Sequence, residues 1–232
     1  MKIAIISAMS KELNLVLKLV GDYKKREIRD GLTIYEGKLG AHNLVMMQCG
    51  IGKVNSALRT HILIEAERPE LVINSGVAGS TDKSVAIGCV LVPSDVAYHD
   101  VWCGPGTMYG AADGFPRLLK TEPRVLKMLD SLREKCGCGI TTGLLCSGDK
   151  FISTSDEVDE IKKNFPDALG CDMESAPIAQ TCMMHATPFC MVRVMSDMPG
   201  NGDNVAQYSD FWDKAPENTF SVVAEIIKNI EF

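Results

Sequence analysis

The string Cys171-Asp172-Met173-Glu174-Ser175-Ala176-Pro177 constrains the fold more than any other stretch of the chain. An apolar run over 168–172 gives way to polar residues, and then to a proline. Proline lacks an N–H and is accommodated only in the first turn of a helix. The segment therefore reads as a buried strand, a short turn and a helix over 176–185, with Glu174 at the lip of that helix. Further on, Arg193-Val194-Met195-Ser196-Asp197 closes a second apolar run over 188–196. A third case, Ile5-Ile6-Ser7-Ala8-Met9-Ser10-Lys11-Glu12, ends a strand over 2–8 with an acid just beyond it. Repeated passages from strand to helix demand a sheet with crossover helices, and ligands bind at the edge where such strands end. Glu12, Glu174 and Asp197 are thus expected at one sheet edge. Converging carboxylates there point to acid–base chemistry on a polar, hydroxylated substrate.

The intervening sequence completes the pattern. Ser10 is placed to cap a helix whose apolar positions Leu13, Leu17 and Val20 recur at helical spacing. Residues 32–39 and 43–49 read as a hairpin, and Gly50-Ile51-Gly52-Lys53 as a turn into a helix over 53–67 that Pro69 ends. Residues 71–74 read as a short buried strand running into Ser75-Gly76-Val77-Ala78-Gly79-Ser80. A strand region over 85–98, an irregular stretch over 102–118, a helix over 122–135 and a strand over 140–147 come next. A helix over 156–164 capped by Ser155 and a C-terminal helix over 209–230 make up the remainder. Strands and helices alternate, with one early hairpin. The expected fold is α/β, a three-layer sandwich with a mixed central β-sheet flanked by helices. No linker, repeat or low-complexity segment divides residues 1–232, which read as a single domain.

Bulk properties narrow the function. The net charge is −6 and no Lys/Arg block stands out, so neither nucleic acid nor an anionic membrane surface is an expected partner. The start, Met1-Lys2-Ile3-Ala4-Ile5-Ile6, turns polar too soon for a signal peptide, and no apolar run approaches the ~18 residues of a membrane span. The nine cysteines are scattered, several inside apolar runs, with no Cys-x-x-Cys. Reduced thiols packed as small hydrophobes in a cytoplasmic protein are expected. No spaced Cys/His/Asp set suggests a metal site, and no cofactor is expected. Gly50-Ile51-Gly52-Lys53 lacks the spacing of a phosphate loop, and no G-x-G-x-x-G follows the first strand.

Arg193 is the most telling single charge. It lies inside Cys190-Met191-Val192-Arg193-Val194-Met195, where an unpaired guanidinium costs several kcal/mol. Glu12 and Glu174 are the expected partners. Strand alternation places Arg193, Met195 and Asp197 on one face. Each acid also has a plainer reading: Glu12 as a first-turn acid, Glu174 as a partner of a helix start, Asp197 as a turn residue before Pro199-Gly200-Asn201-Gly202-Asp203-Asn204.

With these residues in place, the chain resembles the methylthioadenosine/S-adenosylhomocysteine nucleosidases, within the wider purine nucleoside phosphorylase-like family. The resemblance runs nearly end to end. It rests on Ile5-Ile6-Ser7-Ala8-Met9 with Glu12, Gly50-Ile51-Gly52-Lys53-Val54, Asn74-Ser75-Gly76-Val77-Ala78-Gly79 and Tyr98-His99-Asp100. Ser147-Gly148-Asp149-Lys150-Phe151-Ile152, Asn164-Phe165-Pro166, Met173-Glu174 and Arg193 with Ser196-Asp197 extend it. It implies hydrolysis of an adenine N-glycosidic bond. Asp197, aided by Ser196, would be the general acid toward the base, and Glu12 would orient and deprotonate the attacking water. Glu174 would accept hydrogen bonds from the ribose hydroxyls and Met173 would lie against the ribose. Phe151 and the Ile152 backbone would bind adenine, Ala78 and Gly79 would line the pocket, and Tyr208 would sit near the sugar. The resemblance also implies a homodimer in which the 102–118 segment, with Trp102, Met108, Tyr109 and Phe115, covers the 5′ substituent in the partner's site. Two departures stand out: Val77 where Ser is usual, and Asp172 where Glu is usual. The segments that carry Arg in phosphorylases read Ser7-Ala8-Met9-Ser10-Lys11 and Gly79-Ser80-Thr81-Asp82 here, so water is the expected nucleophile. Two other readings remain open: the same fold acting on a different purine nucleoside, such as an adenine-bearing futalosine, and a noncatalytic nucleoside-binding protein.

Overall fold

The computed structural model describes residues 1–200, 202–214 and 220–231. Its strands are β1 (Lys2–Ser7), β2 (Tyr23–Glu27), β3 (Thr33–Leu39), β4 (His42–Gln48), β5 (Leu71–Ser80), β6 (Val90–Leu91), β7 (Asp95–Tyr98), β8 (Leu119–Lys120), β9 (Ile140–Thr141), β10 (Leu144–Ser147), β11 (Ala168–Asp172) and β12 (Phe189–Asp197). Its helices are α1 (Ser10–Val20), α2 (Lys53–Glu67), α3 (Pro123–Lys127), α4 (Leu129–Cys136), α5 (Ser155–Asn164), α6 (Ser175–Met184), α7 (Asn204–Lys214) and α8 (Ser221–Asn229).

The sheet is mixed, as expected. β1 lies parallel between β4 and β5, and β12 runs parallel along the other side of β5. β3 pairs antiparallel with β4, and the far end of β5 pairs antiparallel with β11. Alternate residues of β1 feed two different cores. Ile3 and Ile5 pack with Leu13, Val16 and Leu17 of α1 and with Val222, Val223, Ile226 and Ile227 of α8. Ala4 and Ile6 pack with Leu63 and Ile64 of α2 and with Ile178, Ala179 and Cys182 of α6. A strand buried on both faces must be covered on both, which is why the sandwich has three layers. A smaller core under α5 joins Ala97, Cys146, Ile161, Phe165 and Cys171.

Several boundaries differ from expectation. α1 is held at its start by Glu12, whose carboxylate accepts the Met9 N–H at 2.9 Å, and not by Ser10. Thr154, not Ser155, caps α5, its hydroxyl accepting the Glu157 N–H while Glu157 accepts the Thr154 N–H. β5 runs to Ser80 instead of ending at residue 74, because past the end of its pairing with β1 it goes on pairing with β12 and then with β11. The 85–98 and 140–147 regions each divide into two short strands, and the 122–135 helix into α3 and α4. In place of one C-terminal helix there are α7 and α8, with residues 215–219 outside the described residues. β2 and β8 were not foreseen. All nine cysteines are free; five are buried, and Cys103 is exposed.

Candidate active site

The strand ends at one edge of the sheet open into a cavity of about 510 Å³, counting its mouth. Glu12, Ala78, Gly79, Phe151, Met173, Glu174, Ser196, Asp197 and Tyr208 all line it. An adjoining lobe of about 270 Å³ shares Phe151, Cys171 and Asp197 with the first and adds Ile152 and Lys150. Arg193 lines neither lobe and lies buried behind the cavity wall.

Arg193 is held differently from expectation. Its guanidinium pairs with Asp172, Nε at 2.8 Å and Nη2 at 2.7 Å, and donates a further short bond to Asn74. Asp172 also accepts bonds from Ser147 and from the Ser175 hydroxyl at 2.6 Å, so the buried pair is well supplied with hydrogen bonds. Glu12 and Glu174 act on Arg193 only through their charge. Gly76 explains how Glu12 comes so near: a Cβ there would stand 2.6 Å from both Arg193 Nη1 and Glu12 Oε1. Only glycine leaves room for the carboxylate and the guanidinium on the same stretch of β5.

The three acids are set in distinct ways. Glu12 is 2 % exposed, and its Oε1 accepts the Val77 N–H at 3.0 Å. Burial raises its pKa, while Arg193 and the backbone amides pull it back. Glu174 stands at the N-terminus of α6 and accepts the Gly52 N–H at 2.8 Å. Burial, then the neighbouring Asp172 charge, push it up to about 8. Asp197 ends β12 beside a register shift between Met195 and Asp197. This bulge breaks the expected alternation and lets Ser196 and Asp197 both reach the cavity. The Ser196 hydroxyl donates to Asp197 Oδ1 at 2.7 Å, and Asn204 of α7 approaches Oδ2 at 3.4 Å. Burial raises the pKa of Asp197, with those two donors acting against it. A carboxylic acid kept protonated in a dry cavity can donate that proton near neutral pH.

Among the described residues no Lys or Arg lines the lobe around Glu12, and Lys150 at the adjoining lobe pairs with Glu157. Four amides on this side of the fold are already committed: Met9 and Val77 to Glu12, Gly52 to Glu174, and Lys53 to Asp149 at 2.7 Å. The helix start that looked most like a phosphate site is thus occupied by the chain's own carboxylates.

Residues 2–228 match the family model described as "Phosphorylase superfamily". A relative from Staphylococcus epidermidis, a 5'-methylthioadenosine/S-adenosylhomocysteine nucleosidase, is 35% identical over 229 residues, spanning 98% of this chain and all of its own. The chain belongs to this nucleosidase family of the phosphorylase superfamily. Among solved structures, the S-adenosylhomocysteine nucleosidase of Streptococcus pyogenes, in complex with 5-methylthiotubericidin, superposes with a TM-score of 0.93 at 33% identity, covering 100% of this chain and 98% of that one. The Colwellia psychrerythraea nucleosidase in complex with adenine gives 0.91 at 32% identity, covering 98% and 94%.

Some wall residues escaped the reading of the sequence. Ile51 and Cys171 line the cavity, and Asn204 backs Asp197. Ile51 follows from the Gly-x-Gly turn, since Gly52 adopts a positive φ of 92° and holds the turn against the cavity. Nothing in the sequence alone marks Asn204 apart from its neighbours.

Proposed function

We propose that this chain hydrolyses the N-glycosidic bond of 5′-methylthioadenosine, and of S-adenosylhomocysteine, with release of adenine. The observation that carries the proposal is the meeting of Glu12, Glu174 and Asp197 around one cavity whose main lobe, among the described residues, is lined by no Lys or Arg. Adenine occupies the lobe bounded by Phe151, Ile152 and Asp197. Asp197, whose pKa burial raises, gives a proton to the base, and Ser196 orients it. A protonated base is a far better leaving group, and the sugar left behind is cationic. The carboxylates around it favour that charge, an electrostatic effect that is strong in a water-poor site. Glu12, fixed by two backbone amides, takes the proton of the attacking water. Glu174 accepts from the ribose hydroxyls, and Met173 packs on the sugar. Tyr208, whose hydroxyl lies 3.3 Å from Met9 Sδ, stands beside the sugar's 5′ side. Arg193 acts from behind, its positive charge opposing the rise that burial imposes on the Glu12 pKa.

Residues 1–232 serve as one catalytic domain in the cytoplasm, contributing to methionine salvage; among the described residues no helix is long and apolar enough to cross a membrane. The working form is a homodimer. Exposed apolar side chains support it: Ile51, which lines the cavity, Val54 and Leu58 of α2, and Trp102 and Met108 from the 102–118 segment. Tyr109 is not available to a partner in the same way, since its hydroxyl donates to the His99 carbonyl at 2.7 Å. Incubation with methylthioadenosine in phosphate-free buffer tests the reaction. Adenine release at catalytic rates is expected; no release, or release only on adding phosphate, rejects it.

A further inference from the structure

The start of α2 does more than begin a helix. Two successive amides there point at carboxylates from elsewhere in the chain: Gly52 N–H at Glu174 Oε1, 2.8 Å, and Lys53 N–H at Asp149 Oδ1, 2.7 Å. Asp149 is itself braced. Its own N–H donates to Asp100 Oδ2 at 2.8 Å, and the Lys53 ammonium reaches the same oxygen at 2.9 Å. Lys53, Asp149 and Asp100 thus close a ring joining the β4–α2 turn, the end of β7 and the end of β10. On one side of this ring stands Glu174, held through Gly52. On the other, two residues past Asp149, stands Phe151 in the cavity wall.

Gly52 is the weak point of this arrangement. Its φ of 92° is open to glycine and strained for other residues, and Asp149 Oδ1 lies 3.1 Å from where a Cβ would sit. A glycine has wide torsional freedom, so the direction of its N–H depends on what fixes the next peptide plane. That next plane carries the Lys53 N–H, and Asp149 holds it. We infer that Asp149 is a positioning residue for Glu174: by clamping the Lys53 amide it aims the Gly52 amide, and so sets where Glu174 presents its oxygens to the sugar. The inference rests on the reading of Glu174 as the ribose ligand.

The test uses the full chain, as wild type, Asp149→Ala and Asp149→Asn, with methylthioadenosine and its 3′-deoxy counterpart. Asp149 is exposed, so its replacement leaves the packed cores intact. The readout is the ratio of kcat/KM for the two substrates, with kcat and KM measured separately. Wild type prefers the hydroxylated substrate. Asp149→Ala narrows that preference by about fivefold, the net worth of one hydrogen bond, chiefly through KM. Asp149→Asn keeps an acceptor oxygen and restores most of the preference. If the wild type discriminates but Asp149→Ala slows both substrates equally, or neither, Asp149 is only a helix cap and the inference is overturned. If the wild type itself ignores the 3′-hydroxyl, the ribose reading of Glu174 falls, and this inference with it.

Discussion

Replacing Asp197 with Asn removes one proton and almost nothing else. Ser196 Oγ still finds an acceptor oxygen at its 2.7 Å position, and only the weaker 3.4 Å approach of Asn204 Nδ2 becomes a donor facing a donor. Asp197 is 2 % exposed and lies outside the Arg193–Asp172 pair, so the variant should fold and melt close to wild type. The carboxamide can still donate a hydrogen bond to the base nitrogen, and KM should move little. What it cannot do is transfer a proton. General acid catalysis contributes ~10²–10⁴-fold, equivalent to ~2.7–5.5 kcal/mol of barrier, and kcat should fall by that amount. The pH profile supplies a second reading. In the wild type activity declines as pH rises through the elevated pKa of Asp197, because the acid is lost. The residual activity of Asp197→Asn should lack that decline. Adenine release followed by ultraviolet absorbance from pH 5 to 9 measures both. A kcat within about tenfold of wild type, with the alkaline limb retained, would refute the assignment of Asp197 as the acid.

Other outcomes follow from the same geometry. Burial pushes the Glu174 carboxyl from its ordinary 4.5 up to about 8 in the fold, so the native state binds the extra proton and loses stability as pH rises from the lower value through the higher. Glu174→Gln keeps the Gly52 bond without the titration. Its unliganded melting temperature should exceed that of wild type at pH 8.5 by an amount worth a few kcal/mol, and the gap should close toward pH 4.5. Arg193→Leu leaves Asp172 buried without its partner, and chemical denaturation should show a loss of about 3–5 kcal/mol. Val77→Ser adds a hydroxyl to the cavity wall beside the Glu12 carboxylate. If that hydroxyl bonds the attacking water, kcat/KM should rise by about 2- to 12-fold, and steady-state kinetics will detect it.

The strand-to-helix passages at Glu12 and Glu174, and the layers around them, were legible because buried strands leave uninterrupted apolar runs. β2 was not, since Tyr-Lys-Lys-Arg-Glu shows no alternation and is exposed throughout. It becomes a strand only by pairing along β3, and its charges suit a sheet edge. The end of β5 was hidden for the opposite reason. Its Ser-Gly-Val-Ala-Gly-Ser tail resembles a loop, and within it Gly76 leaves room for Glu12 and Arg193. That Arg193 needed a partner could be read from its apolar surroundings. Which partner could not, because β5 pairs with both β11 and β12, and only the assembled sheet brings Asp172 to the guanidinium. The bulge at Ser196 is likewise a matter of register, and spacing alone cannot show it.

The most direct measurement is the fate of the sugar oxygen. Turnover of methylthioadenosine in ¹⁸O-water containing phosphate should give free methylthioribose carrying the label at C1, at a rate indifferent to the phosphate concentration. Unlabelled sugar 1-phosphate as the product would contradict a site in which Glu12 activates water while Asp197 protonates the base.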